Sequence, residues 1–300
     1  MKVFITGGLG FVGSVLAERL VSLGHSVTVL NRTDRGTGIS GVKIIIADST
    51  VPGKWQEELA GHDAVINLAG ASIFKRWTEK TRKEIYDSRI MTTRNVVDAI
   101  ASRKGGGMDF FSASAVGYYG YHGDEFLDEG AGPGNDYLAG ICVDWEREAL
   151  RAKEFGSRVV LTRFGVILGK NGGALDRLVS ITGMHLASVI GSGKQWFSWI
   201  HMEDVAGIFL HLIKNRTIHG PVNFTTEGPV TNRDFTYTLA RVMKKRVLLP
   251  PVPGFALKLI MGEFGGFLIE GQRVLPGEMA ASGYRFRFPE LGEALADLVS

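Results

Sequence analysis

Residues 2–32 constrain this chain more than any other stretch. A short apolar run, Val3 to Thr6, reads as a buried strand, and a glycine-rich turn follows directly. An amphipathic segment then runs from Phe11 to Leu23, and a second apolar run, Val27 to Leu30, closes a βαβ unit. Both Gly8-x-Gly10-x-x-Gly13 and Gly7-x-x-Gly10-x-x-Gly13 fit the dinucleotide-binding fingerprint. One glycine makes the tight turn, another lets backbone approach a pyrophosphate, and Gly13 lets the helix sit close on the strand. Unpaired N–H groups at the helix start then face the anion, with the helix dipole favouring negative charge. The expected cradle is Gly7, Gly10, Phe11 and Val12.

An acid at the tip of the second strand would bind the ribose 2′-hydroxyl of NAD. This chain has Asn31 and then Arg32 there, and Asp34 comes later, in a loop. A guanidinium pairs with a 2′-phosphate through two hydrogen bonds, so the expected cofactor is NADP, with Arg32 choosing it. The alternative is that Arg32 is a solvated loop charge.

Strand and helix signals alternate through the first half. Lys43–Asp48 reads as a third strand, with Asp48 placed to meet an adenine edge or to cap the next turn. Ala64–Gly70 reads as a fourth strand, ending in Leu68, Ala69 and Gly70, where small side chains let a ligand lie against backbone. A helical pattern runs from about 78 to 103, and Asp109–Ser114 reads as a fifth strand with Ala113 and Ser114 at its end. A helix at 136–155 and a sixth strand, Arg158–Leu168, follow. Phe164, Gly165 and Val166 of that strand are expected beside a nicotinamide.

Near-continuous apolar strands alternating with helices imply a parallel sheet covered on both faces. The expected fold is α/β, a Rossmann-type doubly wound parallel sheet with a smaller, partly interleaved C-terminal lobe. Residues 1–168 would form the NADP-binding core, with about 196–226 returning to it, and 169–300 a substrate or cap lobe. In that second part the rhythm loosens: a loop with Trp196 and Trp199, helices at 203–214 and 232–244, a strand at 221–226, and a helical stretch near 255–268.

Net charge is +3 and distributed, so no nucleic-acid partner is expected, and Lys244-Lys245-Arg246 reads as a solvated helix end. Cys142 is the only cysteine, which excludes an internal disulfide and points to a reducing compartment. The first residues run straight into a strand, leaving no room for a signal peptide. The longest stretch without a formal charge, Leu178 to Gly193, falls short of the ~20 apolar residues that span a bilayer. These features suggest a cytoplasmic protein without a membrane partner. Scattered histidines with no His-x-x-x-His and no cysteine pair give no metal site.

Further motifs carry a resemblance. Thr6–Gly13, Asn67-Leu-Ala-Gly70, Arg163–Gly169 and Ile200–Ala206 resemble the extended short-chain dehydrogenase/reductase superfamily. Trp77-Thr78, Asp87-Ser-Arg89, Ser112–Gly120, Asp144-Trp-Glu146, Gly191–Trp196 and Ser198–His201 resemble its atypical branch of uncharacterised NAD(P)-dependent epimerase-family proteins. Val252–Lys258, Gly271–Pro276 and Tyr284–Pro289 are similar to that branch's C-terminal domain of unknown function, so about 250–300 would be family-specific. The resemblance spans essentially the whole chain. It implies a fold and a nucleotide more firmly than a reaction, and by analogy a homodimer built on the helices flanking the sheet.

Hydride transfer to or from a carbonyl needs a proton donor or acceptor beside the reacting oxygen. The superfamily supplies a tyrosine with a lysine four residues later. Here Tyr137 is present but residue 141 is Ile, and sliding by one gives Leu138 and Cys142, so neither register holds the pair. Ser114 matches the superfamily serine. The candidate catalytic residues are therefore Ser114 and Tyr137, with Tyr118, Tyr119 and His201 as secondary candidates. Each has a packing role as its alternative. Arg89 and Arg163 are candidates for an anionic substrate, or for a buried ion pair. Two readings follow: an NADP-dependent oxidoreductase or epimerase-like enzyme acting on a small polar substrate, nucleotide-linked ones included, or a catalytically weak NADP(H)-binding sensor.

Overall fold

The computed structural model describes residues 1–33, 39–262 and 264–299. Asp34 lies outside the described residues. The first half runs β1 (Lys2–Thr6), α1 (Phe11–Ser22), β2 (Ser26–Asn31), β3 (Val42–Ile46), α2 (Trp55–Ala60), β4 (Ala64–Asn67), α3 (Glu79–Ala101) and β5 (Asp109–Ala115). It continues through β6 (Phe126–Leu127), α4 (Tyr137–Leu150), β7 (Arg158–Phe164) and β8 (Val166–Leu168). The remainder is α5 (Leu175–Gly183), β9 (Trp196–Phe197), β10 (Trp199–His201), α6 (Met202–Lys214), β11 (Gly220–Phe224), β12 (Val230–Thr231) and α7 (Asn232–Val242). It closes with α8 (Gly254–Met261), α9 (Phe264–Phe267), β13 (Arg273–Val274), α10 (Gly277–Ala281) and α11 (Leu291–Val299).

Seven strands form one sheet in the order β11-β7-β5-β4-β1-β2-β3, and every pairing in it is parallel. The strands alternate their side chains between two apolar layers, as a doubly covered sheet requires. Val3, Ile5 and Phe111 face α1 and α6 through Leu16, Leu20, Val205 and Phe209. Phe4, Val65 and Phe110 face α2 and α3 through Trp55, Leu59, Val96 and Val97. The sheet thus lies between two helical layers. A further cluster of Leu175, Trp199, Phe235, Leu239 and Leu295 packs α5, α7 and α11 together.

The expected strand Arg158–Leu168 is in fact two. At Gly165 the chain leaves the sheet: its N–H donates to Phe224 O at 3.0 Å, while Val166 N donates to Ser198 O at 2.8 Å. A Cβ at Gly165 would lie 2.6 Å from Ser198 O, so only glycine permits this close crossing. β8 then pairs with β10 in a separate two-stranded sheet. The helical stretch near 255–268 likewise breaks, at Gly262, whose φ of +67° ends α8. Among the described residues no helix is long and apolar enough to cross a membrane.

Candidate functional site

The strand order reverses at β1, whose neighbours are β2 and β4. Ligands in sheets of this kind lie outside the carboxyl ends of the strands at that reversal. Gly7 leaves β1 with φ +68° and donates its N–H to Leu30 O at 2.8 Å. A Cβ there would come within 3.0 Å of Ala69 N, so the turn sits directly on the β4 exit loop. Gly8 is pressed against Val29, and Gly10 donates to Gly7 O at 2.9 Å. Gly13 is tighter still, with a hypothetical Cβ 2.4 Å from Gly7 O and 2.7 Å from Gly8 Cα. These roles assign the fingerprint to Gly7-x-x-Gly10-x-x-Gly13. Gly10 caps α1 with no side-chain bond, and no acid occupies the first turn. The N–H groups of Phe11, Val12 and Gly13 therefore stay available to an anion. The Phe11 ring does not cover the loop; it packs on Gly169, Gly172 and Gly173 after β8, and only its backbone belongs to the cradle.

At the end of β2, Asn31 Oδ1 accepts Leu9 N at 3.2 Å, bracing the turn, and Arg32 is exposed. Asp48 Oδ1 accepts the Thr50 amide at 2.9 Å and its hydroxyl at 2.7 Å, so it caps its own turn. Burial pushes the Asp48 carboxyl up, but the Thr50 bonds and the Arg32 charge outweigh it and hold the group below its ordinary value. Arg32 and Asp48 thus share one neighbourhood. Leu68 and Ala69 are pinned by their amides to Thr6 O and Thr6 Oγ1, each at 3.2 Å. A buried chain, Thr6 Oγ1 to Asn67 Oδ1 at 2.6 Å and Asn67 Nδ2 to Thr93 Oγ1 at 2.9 Å, ties β1, β4 and α3 together under the cleft. Trp145 Nε1 on α4 donates to the same Thr93 hydroxyl.

At the end of β5, Ser114 is buried and donates to Glu146 Oε1 at 2.6 Å. Glu146 in turn takes both Nε and Nη2 of Arg163, each at 2.8 Å. Arg163 Nη1 donates to Tyr119 OH at 3.0 Å, which donates to Asn223 Oδ1 at 2.7 Å. The Tyr118 ring lies against the same guanidinium, 3.5 Å from its Cζ. Burial works against the Arg163 charge, but its bonds to Glu146 hold it above its ordinary value. Burial pushes the Tyr119 phenol up to about 12, so it stays neutral. Ser114, Tyr118, Tyr119 and Arg163 are candidates in the sequence; Glu146 as the acceptor that joins them, and Asn223, are not. Glu146, a carboxylate inside the apolar stripe of a helix, was the available signal, since a buried acid demands a partner. Ala113 packs beneath, with Ile90 and Trp145, and Phe164 meets Phe224 edge-to-face at 4.9 Å.

Tyr137 opens α4, donates to Arg82 O at 3.3 Å and packs edge-on against Trp77. Ile141, in the place of a lysine, is buried in the same cluster. Trp199 is wholly buried, with Nε1 on Gly228 O, and belongs to the C-terminal packing. His201 caps α6 through Nδ1, stacks on Phe288 at 3.9 Å and has Nε2 3.4 Å from Asp297 Oδ2; burial pushes its imidazole below the ordinary value, against the pull of that carboxylate and of Asp204 and Glu203. Both take part in packing and hydrogen bonding within the fold. Burial, then the Glu146 charge, pushes the Cys142 thiol up to about 12. The thiolate needed for reaction is scarce near neutrality, so native protein should resist a thiol reagent at pH 8 and react fully once unfolded. Rapid labelling of the native state would contradict the burial. Among the described residues no three His, Cys, Asp or Glu side chains group as a metal site.

A parallel sheet of this order, with a glycine cradle at its reversal, defines a Rossmann-type dinucleotide-binding protein. Comparison with known proteins carries this further. The model of the NAD dependent epimerase/dehydratase family matches residues 3–224, and a domain of unknown function, DUF1731, matches 252–298. The chain belongs to the NAD dependent epimerase/dehydratase family. Epimerase family protein YfhF of Bacillus subtilis is 38% identical over 303 residues, covering 100% of this chain and 98% of its own. The chloroplastic SDR39U1 homolog of Arabidopsis thaliana is also 38% identical, over 98% of this chain and 86% of its own length. The human epimerase family protein SDR39U1 (isoform 2), crystallised with NADPH, superposes with a TM-score of 0.88 at 32% identity over 99% of both chains.

Proposed function

We propose that this protein binds NADP(H) and is an oxidoreductase or epimerase-like enzyme acting on a small polar substrate. The observation that carries the reading is the cradle itself: a turn pressed on the β4 exit loop, closed by Gly13, under a helix start with no capping side chain. The human relative with NADPH supports the phosphorylated form of the cofactor, and so does Arg32 in place of an acid. The residues that would hold it are Gly7, Gly10, Phe11 and Val12 by backbone, with Asn31, Arg32 and Asp48 at the adenosine end. Leu68, Ala69, Gly70, Ala113, Phe164, Gly165 and Val166 would line its course across the strand ends. When bound, the cofactor supplies or takes a hydride at C4 of its nicotinamide.

Ser114, with its proton on Glu146, would accept a hydrogen bond from a substrate hydroxyl. Tyr137 would act as proton donor or acceptor after releasing the Arg82 carbonyl. The absence of a lysine at residue 141 favours the second reading, a sensor in which the redox form of the cofactor biases a partner contact.

Titrating NADPH and NADH into wild type and Arg32→Ala tests the cofactor assignment. The variant is expected to lose about tenfold in NADPH affinity, since a charge-assisted pair is worth about 1.5–3 kcal/mol, with NADH unaffected. An unchanged preference refutes the role of Arg32. Turnover with a panel of carbonyl compounds and sugar nucleotides, lost in Ser114→Ala or Tyr137→Phe, supports the enzyme. Tight binding with no turnover supports the sensor.

A further inference from the structure

Arg163 and Arg89 both lie near the carboxyl ends of the central strands, but their partners differ. Arg163 spends its whole fork on Glu146 and Tyr119. Arg89 has no carboxylate within ion-pair distance among the described residues. Its Nη1 donates to Ala71 O at 3.1 Å and Ile85 O at 3.0 Å, and those are its only protein acceptors there. A Cβ on Gly70 would lie 3.5 Å from its Cζ, which puts the guanidinium directly against the β4 exit loop. Its other face lies toward the Trp145 ring, with Cζ 5.2 Å from the ring centroid. Burial works against the Arg89 charge, and Cys142 and Tyr137 are the titratable groups beside it.

The two carbonyls use both hydrogens of Nη1. The Nε–Nη2 edge remains, with no protein acceptor among the described residues. That edge is the one that takes a carboxylate or phosphoryl group through two parallel bonds. A half-buried cation without a counter-charge is costly to keep, and an arginine cannot shed its proton to avoid the cost. Pinning Nη1 fixes the direction of the fork, which is what a recognition residue needs and a loose surface arginine lacks.

We infer that Arg89 recognises an anionic group of the substrate, a carboxylate or phosphoryl, at its Nε–Nη2 edge. The inference rests on the cofactor reading above, in which the cofactor runs past Leu68, Ala69 and Gly70 of the β4 exit and a substrate would meet its nicotinamide end. The cofactor's own phosphates have the α1 amides and Arg32 to meet, so the anion at Arg89 is assigned to the second ligand.

Calorimetric titration of malonate and inorganic phosphate into NADP-saturated wild type, Arg89→Lys and Arg89→Met tests this. Wild type is expected to bind at least one of these anions saturably. Arg89→Met should bind it about tenfold more weakly or worse, as loss of a charge-assisted bidentate pair implies. Arg89→Lys should fall between, and NADPH affinity should not change in either variant. Equal binding by wild type and Arg89→Met overturns the inference, and so does no binding by wild type. Loss of NADPH affinity in step with the anion also overturns it, because Arg89 would then serve the cofactor. If Arg89→Met fails to fold, a wild-type crystal soaked with malonate decides: the anion on Arg89 supports the inference, and the anion elsewhere or absent defeats it. Wild type that binds no NADPH overturns the cofactor reading and this one with it, whereas loss of the anion alone overturns only this one.

Discussion

Gly13→Ala is expected to weaken NADPH binding by about a hundredfold, some 2.7 kcal/mol. The added methyl would stand 2.4 Å from Gly7 O and 2.7 Å from Gly8 Cα, and both are backbone atoms that cannot rotate aside. The loop must lift off the helix start, which moves the amides of Gly10 to Val12 relative to one another. A ligand held by several main-chain donors loses them together. Stability supplies an independent check. In an exposed helix, glycine to alanine gains about 1 kcal/mol, so a roomy site would show a higher melting temperature. Here no gain is expected. Fluorescence titration of NADPH reads the affinity, and a variant that binds as tightly as wild type removes the cradle from the account.

The features legible in the sequence are the local ones. The glycine loop is contiguous, and its strand and helix flank it within thirty residues, so the cradle could be read directly. The strands of the main sheet are near-continuous apolar runs, and a strand buried on both faces needs no partner to be recognised. The two- and three-residue strands β6, β9, β10, β12 and β13 carry no readable signal, because nothing in so short a segment marks a period, and β8 reads as a continuation of β7. Their pairing is decided by where α6 and the C-terminal packing hold them. Gly165 looked like one more residue of a strand; its role appears only when Ser198 O is found where a side chain would go. α11 has a readable pattern in Leu291, Ala294 and Leu295, three and four residues apart. The two arginines are the sharpest case. Both could be ion pair or anion site on sequence alone, and only the position of Glu146, seventeen residues before Arg163 and on another element, separates them. Ser114 and Tyr137 matched family positions, yet their bonds to Glu146 and Arg82 depend on helix register across the sheet, which no local pattern encodes.

Glu146→Ala is the second substitution with a large expected effect, on stability rather than on cofactor binding. The Glu146 and Arg163 side chains are 6% and 4% exposed, so water cannot replace a lost partner. Removing one member of a buried pair leaves an uncompensated charge and costs about 3–5 kcal/mol. In a protein of this size that is a fall of about 10 °C in melting temperature at fixed scan rate. The same change strips Ser114 of its acceptor and releases the arginine fork that positions Tyr119 and, through it, Asn223. The double variant Glu146→Leu with Arg163→Met separates charge from shape. If the penalty is desolvation of an orphaned guanidinium, the double variant should melt above Glu146→Ala, because no charge remains to be buried. If the pair instead holds the β5, β7 and α4 ends in register, the double variant should melt as low as the single one. Glu146→Ala melting within about 2 °C of wild type would show that the network adds little to the fold, since a loss of 3 kcal/mol could not hide in so small a shift.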